Sequence, residues 1–481
     1  MTRVIDCEHA LPGPGEPPLS PVRIAIADGL IANAGTAGEG TAPVLAMPVL
    51  VNAHDHARAA RASSFGAAGK PLEVWLHYLA MLPAVDPYLA AAVSLSQSAL
   101  GGAGVVMVHY TRVQGLTDYV TEARAVARAA RDVGVRIGFA VALRDRNPLV
   151  YGPSGPILEA MPAPAADDIS RRLIRAPLPL ADQLALVDTL AAAADAADFN
   201  VQYGPAGVQW CSDELLRAVS EASARTGRRV HMHLLETRYQ RHWADTAFPE
   251  GIVRYLDSIG LLGPRLTLAH CTWAKPDELD LLAERGVTIA VNTSSNLGIR
   301  SGIAPLAEMK RRGCRVAFGI DGLALDEDDD ALREMRLTHL LHGGTGFDID
   351  ISRADILTMA CRNGRLSVMN RDDGGRLAAS EPADLLLLDW SAIDTDRLKP
   401  DLDPRDLLFA RAHAGHISEV IVGGRTIVKD GQVLGIDAPA MRQELLARFR
   451  ADIGANAGLE TSLRELEKAI GAHFRGDTPC C

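Results

Sequence analysis

The sequence predicts an α/β protein, a (β/α)8 TIM barrel with a small β-sandwich domain formed from the N- and C-terminal segments. Three observations lead there. Eight short apolar runs stand in the middle of the chain, and the polar, chemically capable residues sit at their carboxyl ends. Helical stretches separate them, and eight such βα units over about 300 residues fit the usual size of the barrel. Blocks rich in β signals, with hairpin turns, flank this array on both sides.

Taken in order, residues 1–46 form the first part of the small domain. Val22-Arg23-Ile24-Ala25-Ile26 alternates as a strand does, and Asp28-Gly29 supplies a turn before Leu30-Ile31. Residues 47–370 are assigned to the barrel. Its strand candidates end at His54-Asp55-His56, Val108-His109-Tyr110, Val141-Ala142-Leu143 and Tyr203-Gly204-Pro205. Four more end at His231-Met232-His233, Leu268-Ala269-His270, Val291-Asn292-Thr293 and Gly319-Ile320-Asp321. Asp213-Glu214-Leu215-Leu216 and Pro276-Asp277-Glu278-Leu279 open helices, with acidic residues in the first turn where the helix dipole favours them. An open, doubly wound sheet would compete, but no glycine-rich phosphate loop follows the first strand.

The connection after Leu143 is long and proline-containing, and helical periodicity resumes only near Leu178. A loop of that length on a barrel's working face is either a lid or a surface insertion. Residues 371–436 complete the small domain, with strands at 384–389 and 419–422 and Gly423-Gly424 turning into 425–428. Residues 437–481 read as a helical tail with Leu445-Leu446, Phe449 and Ile453 along one face. It docks on the barrel or on a second subunit, and the sequence does not choose.

Composition narrows the function. The chain has 481 residues, 48% of them hydrophobic and 23% charged, with a net charge of -11, and it shows no basic cluster of the kind that phosphate neutralisation needs. Nucleic acid is therefore not an expected partner. No run approaches the roughly 20 apolar residues of a membrane span, and the amino terminus lacks a signal-peptide pattern. Seven scattered cysteines, including Cys480 and Cys481 at the end, suit reduced thiols in a cytoplasmic enzyme.

The chemistry starts at Val49-Leu50-Val51-Asn52-Ala53-His54-Asp55-His56. In an extended strand alternate side chains share a side, so His54 and His56 project together and can grip one divalent cation. The fifth strand offers His231 and His233 in the same relation, of which one need reach the metal, with Glu236 just past the strand end. His270 ends the sixth strand and Asp321 the eighth. All of these sit at carboxyl ends of strands, the face on which barrel enzymes build their sites.

As an ordered set, these motifs resemble the amidohydrolase superfamily, in its branch of cytosine-deaminase-like, triazine-hydrolase and chlorohydrolase enzymes. The landmarks are Pro48 to His56, His231 to Thr237, Ala269-His270-Cys271, Asn292 to Leu297, Ser301 to Pro305, Gly319-Ile320-Asp321-Gly322 and Pro382-Ala383-Asp384-Leu385. The resemblance implies one divalent metal ion per chain, held by His54, His56, His233 and Asp321. No lysine ends the fourth strand, where a two-metal relative would carry its bridging carbamate; Gly204-Pro205-Ala206 stands there. Imidazole and carboxylate ligation suits Zn²⁺ first and Fe²⁺ second. Glu236, His270 and Asp321 then become the proton-handling catalytic residues of a hydrolytic deaminase, and a homodimer or higher homo-oligomer is implied.

The match departs at Ala206, where aminopurine-type relatives carry a substrate-contacting histidine. Recognition of a small heterocyclic substrate then falls to Trp75, His109, Gln209, Trp210 and Ser295. Arg58 and Arg61 are read as solvated surface positions more readily than as contacts to an anionic substrate, and the acidic run 326–330 as a solvated helix start. Two other functions compete with deamination: removal of chloride, alkylamine or thiol or cleavage of an amide, and a barrel that binds without catalysis. The intact catalytic and ligand residues argue against the last.

Overall fold

The computed structural model describes residues 3–38 and 40–476. Cys480, Cys481 and the first two residues of the amino terminus lie outside them. Eight parallel strands follow one another in chain order: Leu50–Asp55, Ala103–Tyr110, Arg136–Leu143, Phe199–Pro205, Val230–Leu234, Leu266–His270, Thr288–Val291 and Arg315–Phe318. The eighth returns to the first through the stretch just beyond it. There the Ile320 N–H donates to Asn52 Oδ1 (2.9 Å) and the Asp321 N–H to the His54 carbonyl (2.8 Å). The expected barrel is present. Its strands are buried on both faces, Ala103–Tyr110 along its whole length, which is why they read as apolar runs without alternation.

The terminal β blocks also meet as expected. Their strands run as one mixed eight-stranded sheet in which Ala42–Pro48 pairs with Arg3–Ala10 on one side and with Leu385–Asp389 on the other. The leucine run divides between the sheet's two faces. Leu385 and Leu387 join Val22, Ile24, Ile31 and Ile421 in a core of the sheet's own, while Leu386 and Leu388 join the barrel core. Both predicted hairpins turn through left-handed residues, Asp28 (φ 52°) with Gly29 (φ 78°) and Gly423 (φ 57°) with Gly424 (φ 76°), matching the twist of the flanking strands. Asp384 fastens sheet to barrel by accepting from Arg365 Nη1 (2.7 Å), the Gly423 N–H (2.7 Å) and Arg136.

Two stretches carry more structure than their sequence announces. The connection after Leu143 contains the helices Gly155–Glu159 and Ala163–Leu173. The prolines that read as loop signals stand at the helix starts, where a missing N–H costs nothing. The tail forms Ala438–Asp452 and Ala457–Gly476 and docks on its own barrel. Leu445 and Phe449 pack with Leu89 and Val93, and Leu459, Leu463, Leu466 and Ile470 pack with Trp75, Tyr78, Ile157 and Ile169.

The acidic run departs from expectation. A helix, Ala331–His342, does begin there, and Asp330 caps it by accepting from the Leu332 and Arg333 N–H groups (both 3.0 Å). Only part of the run is solvated, however: Asp328 is exposed, while Asp326, Asp329 and Asp330 are buried. Asp329 accepts from Ser98 Oγ (2.7 Å) and Asp326 pairs with Arg333. Among the described residues no helix is long and apolar enough to cross a membrane.

Candidate active site

The ends of the first, fifth and eighth strands bring four side chains to one point. Each histidine is held by its Nδ1. His54 Nδ1 lies 2.7 Å from His231 Nε2, His56 Nδ1 2.7 Å from the His109 carbonyl, and His233 Nδ1 2.7 Å from the Ala206 carbonyl. The carbonyl partners require protonated Nδ1 atoms on His56 and His233, leaving lone pairs on Nε2. Those Nε2 atoms converge. His56 Nε2 is 3.2 Å and His54 Nε2 3.4 Å from Asp321 Oδ1, and His233 Nε2 is 3.4 Å from His56 Nε2. His54 Nε2 and Asp321 Oδ1 are buried and have no hydrogen-bond partner among the described residues.

Electrostatics agree with a cation at that point. Burial, then the Arg58 charge, pushes the His56 imidazole down to about 3, and burial with His54 beside it holds His233 well below the usual range. Burial alone would raise the Asp321 carboxyl, but His54 and His56 outweigh it and hold it well below its usual range. Neutral imidazoles at His56 and His233 are the state a divalent cation requires of its nitrogen ligands. His231 and His233 both face inward, yet His231 stands behind His54 and only His233 presents its Nε2 to the cluster.

Glu236 and His270 flank this group. His270 Nε2 lies 3.6 Å from Glu236 Oε2 and 3.8 Å from Asp321 Oδ2, and its Nδ1 lies 2.9 Å from Asn296 Oδ1. Burial, with Asp321 and Glu73 nearby, raises the Glu236 carboxyl well above its usual value and favours its protonated form. The backbone is strained here as well. Leu235 (φ 51°), His270 (φ 74°), Cys271 (φ 47°) and Asp321 (φ 66°) are all left-handed non-glycine residues, the kind of outlier that clusters at functional sites.

A cavity of about 730 Å³ opens above His56, His233, Glu236, His270 and Asp321. Of the five recognition candidates, Trp75 and Trp210 line it. The other three lie outside its wall. His109 Nε2 lies 3.0 Å from the Gly204 carbonyl, Gln209 accepts from Asn147 Nδ2 through its carbonyl (2.6 Å), and Ser295 Oγ donates to Asp321 Oδ2 (2.7 Å). The long connection supplies Leu149, Tyr151 and Ile174 to the wall.

Arg58 is not a surface residue. It is 8% exposed and lines the cavity, with its guanidinium 4.8 Å above the Trp75 ring. Arg61 instead donates to the Glu327 carbonyl (2.5 Å). Sequence reasoning also passed over Glu73, which lines the cavity and accepts from Thr237 Oγ1 (2.5 Å) and Tyr151 Oη (2.6 Å). A lone glutamate inside the otherwise apolar Leu72-Glu73-Val74-Trp75 was the available signal.

Barrel, terminal sheet and a histidine–aspartate cluster able to hold a metal ion define a metal-site hydrolase architecture. The chain belongs to the amidohydrolase family, whose model matches residues 45–427. It is similar to the 5'-deoxyadenosine deaminase of Methanosarcina barkeri, with 32% identity over 53% of this chain and 60% of that protein. Against the 8-oxoguanine deaminase of Pseudomonas aeruginosa it is 29% identical over 85% of this chain and 87% of that one. The chain thus spans less than two thirds of the Methanosarcina relative but most of the Pseudomonas one. In fold it resembles two proteins crystallised with zinc. An adenosine deaminase from Xanthomonas campestris gives a TM-score of 0.75 at 21% identity, covering 93% of this chain and 98% of that one. Atrazine chlorohydrolase from Arthrobacter aurescens gives 0.76 at 22%, covering 94% and 99%.

Proposed function

We propose that this protein hydrolytically deaminates a small aminated heterocycle. The observation that carries the reading is the placement of His270 Nε2 3.6 Å from Glu236 Oε2 and 3.8 Å from Asp321 Oδ2, beside the unpartnered His54 Nε2 and Asp321 Oδ1. His54, His56, His233 and Asp321 are the residues that would hold one divalent cation. Zinc is the first choice, supported by its presence in the two structural relatives, with Fe²⁺ the second. Such a cation, when bound, supplies the Lewis acidity that lowers the pKa of water from 15.7 toward ~7.

The chain's own residues then manage the protons. Asp321 and His270 orient the attacking water and accept its proton. Water oxygen bonds to the ring carbon bearing the amino group, and electron density moves to the neighbouring ring nitrogen. Glu236, protonated in its buried setting, donates to that nitrogen. It then takes the proton of the newly formed hydroxyl and passes it to the departing amine, so the C–N bond breaks with release of ammonia and an oxo product, and the proton held by Asp321 and His270 returns to Glu236. General acid–base help of this kind contributes typically 10²–10⁴-fold. Deaminase relatives support the reaction type, and Ala206 removes a side-chain hydrogen-bonding group from the pocket, so recognition of the ring depends on the remaining wall. A cytoplasmic setting rests on five free cysteines among the described residues, and a homodimer on the family resemblance alone.

The test is ammonia release from zinc-loaded protein across aminated pyrimidines, purines, triazines and pterins. Release from one ring class, lost in Glu236→Gln, establishes the reaction. Turnover of chlorinated, alkylamino or alkylthio rings without ammonia would replace it with hydrolysis of another leaving group.

A further inference from the structure

Resting on that reading of the site, we infer that Arg58 determines specificity by binding a planar anionic edge of the substrate. The edge is a ring carboxylate or the deprotonated oxo edge of an acidic heterocycle. Arg58 follows the His54-Asp55-His56 motif by two residues and turns back into the cavity. Its guanidinium is covered by the Trp75 ring on one side, and among the described residues only its Nη2 is engaged, donating to Thr111 Oγ1 (3.0 Å). Nε and Nη1 are buried and find no acceptor among the described residues, and the neighbouring Trp75 Nε1 is likewise buried without one.

A guanidinium with open donors in a buried pocket is costly unless an acceptor arrives. Its planar fork presents parallel N–H groups along the Nε/Nη2 edge and the Nη1/Nη2 edge, and Thr111 takes only one of the two Nη2 protons, so one edge stays open to two coplanar oxygens or an oxygen and a ring nitrogen. The site's own carboxylates do not fill that role. Asp321 and Glu236 form no hydrogen bond or ion pair with Arg58 among the described residues, and Asp55 accepts instead from Asn52 Nδ2 (2.8 Å) and the His56 N–H (2.6 Å). The acceptor pair therefore comes from the ligand. The outer wall agrees with an anion, since Arg144 and Arg175 also line the cavity and, among the described residues, no side-chain partner holds either guanidinium.

The test uses matched pairs of aminated rings with and without a carboxylate, plus the oxo acids as non-reacting ligands whose binding is measured by calorimetry. Arg58→Met keeps the volume of the stem, and Arg58→Lys keeps the charge without the fork. Wild-type protein should prefer the carboxylated or acidic-oxo ligand. Arg58→Met should weaken its binding on the order of 10²-fold or more while neutral rings change little, and Arg58→Lys should recover only part. Carboxylates and acidic oxo rings tested separately assign the source of the anionic edge. Equal losses for charged and neutral ligands, or no preference in wild type, overturn the inference. If calorimetry shows Arg58-dependent binding while no ring releases ammonia, the inference stands and the deaminase reading falls.

Discussion

The Asp321 N–H donates to the His54 carbonyl at 2.8 Å, so a bond that closes the barrel joins two residues of the histidine–aspartate cluster. Asn52 braces the same seam. Its Oδ1 accepts from the Ile320 N–H (2.9 Å) and its Nδ2 donates to Asp55 Oδ2 (2.8 Å). Closure of the fold and convergence of the ligand atoms are one arrangement.

Asn52→Ala should therefore damage both at once. It leaves the Ile320 N–H and one Asp55 oxygen buried without partners, at a cost of about 1–3 kcal/mol for each such group. Urea unfolding with and without zinc checks this. The variant should be less stable in both conditions and gain less from added metal, whereas a loss confined to the metal-free protein would separate the seam from the site.

His231 should act through His54. The His54–His231 contact of 2.7 Å fixes which His54 nitrogen faces the cluster, and losing such an orienting partner typically costs 10–100-fold in metal affinity. His231→Phe fills most of the space without accepting a hydrogen bond. Competition against a zinc chelator should show the weaker affinity with the fold intact by circular dichroism. Unchanged affinity would reduce His231 to packing.

The pH profile should report Glu236. Its donor form is lost as pH rises through a pKa lifted first by burial, then by Asp321 and Glu73. Glu73→Gln removes one of the negative charges that raise it, so Glu236 ionises earlier. The alkaline limb of kcat should move to lower pH in that variant. A limb that stays in place, or moves upward, would contradict the assignment of Glu236 as the proton donor.

The sequence displayed the site better than its surroundings. His54, His56, His233, His270 and Asp321 were legible because strand alternation and strand ends have simple periodicity, and all lie where barrel strands terminate. The burial of Arg58 was not legible, since Ala57-Arg58-Ala59-Ala60-Arg61 gives no local pattern separating a charge packed under Trp75 from one in solvent. Tertiary contact decides it. Asp329 was hidden for the same reason, its partner Ser98 lying far away in sequence. The docking of Leu459, Leu463 and Leu466 beside Trp75 depends on a surface built from three other segments, which no window of the tail contains.

Zinc titration into chelator-stripped protein, read by ammonia release and by metal content per chain, tests the central claim most directly. Activity should be absent without metal and rise to a plateau at about one equivalent. In His56→Ala both uptake and ammonia release should be lost together. Full activity in the stripped protein, or a plateau that needs two equivalents, would contradict a single ion held by His54, His56, His233 and Asp321.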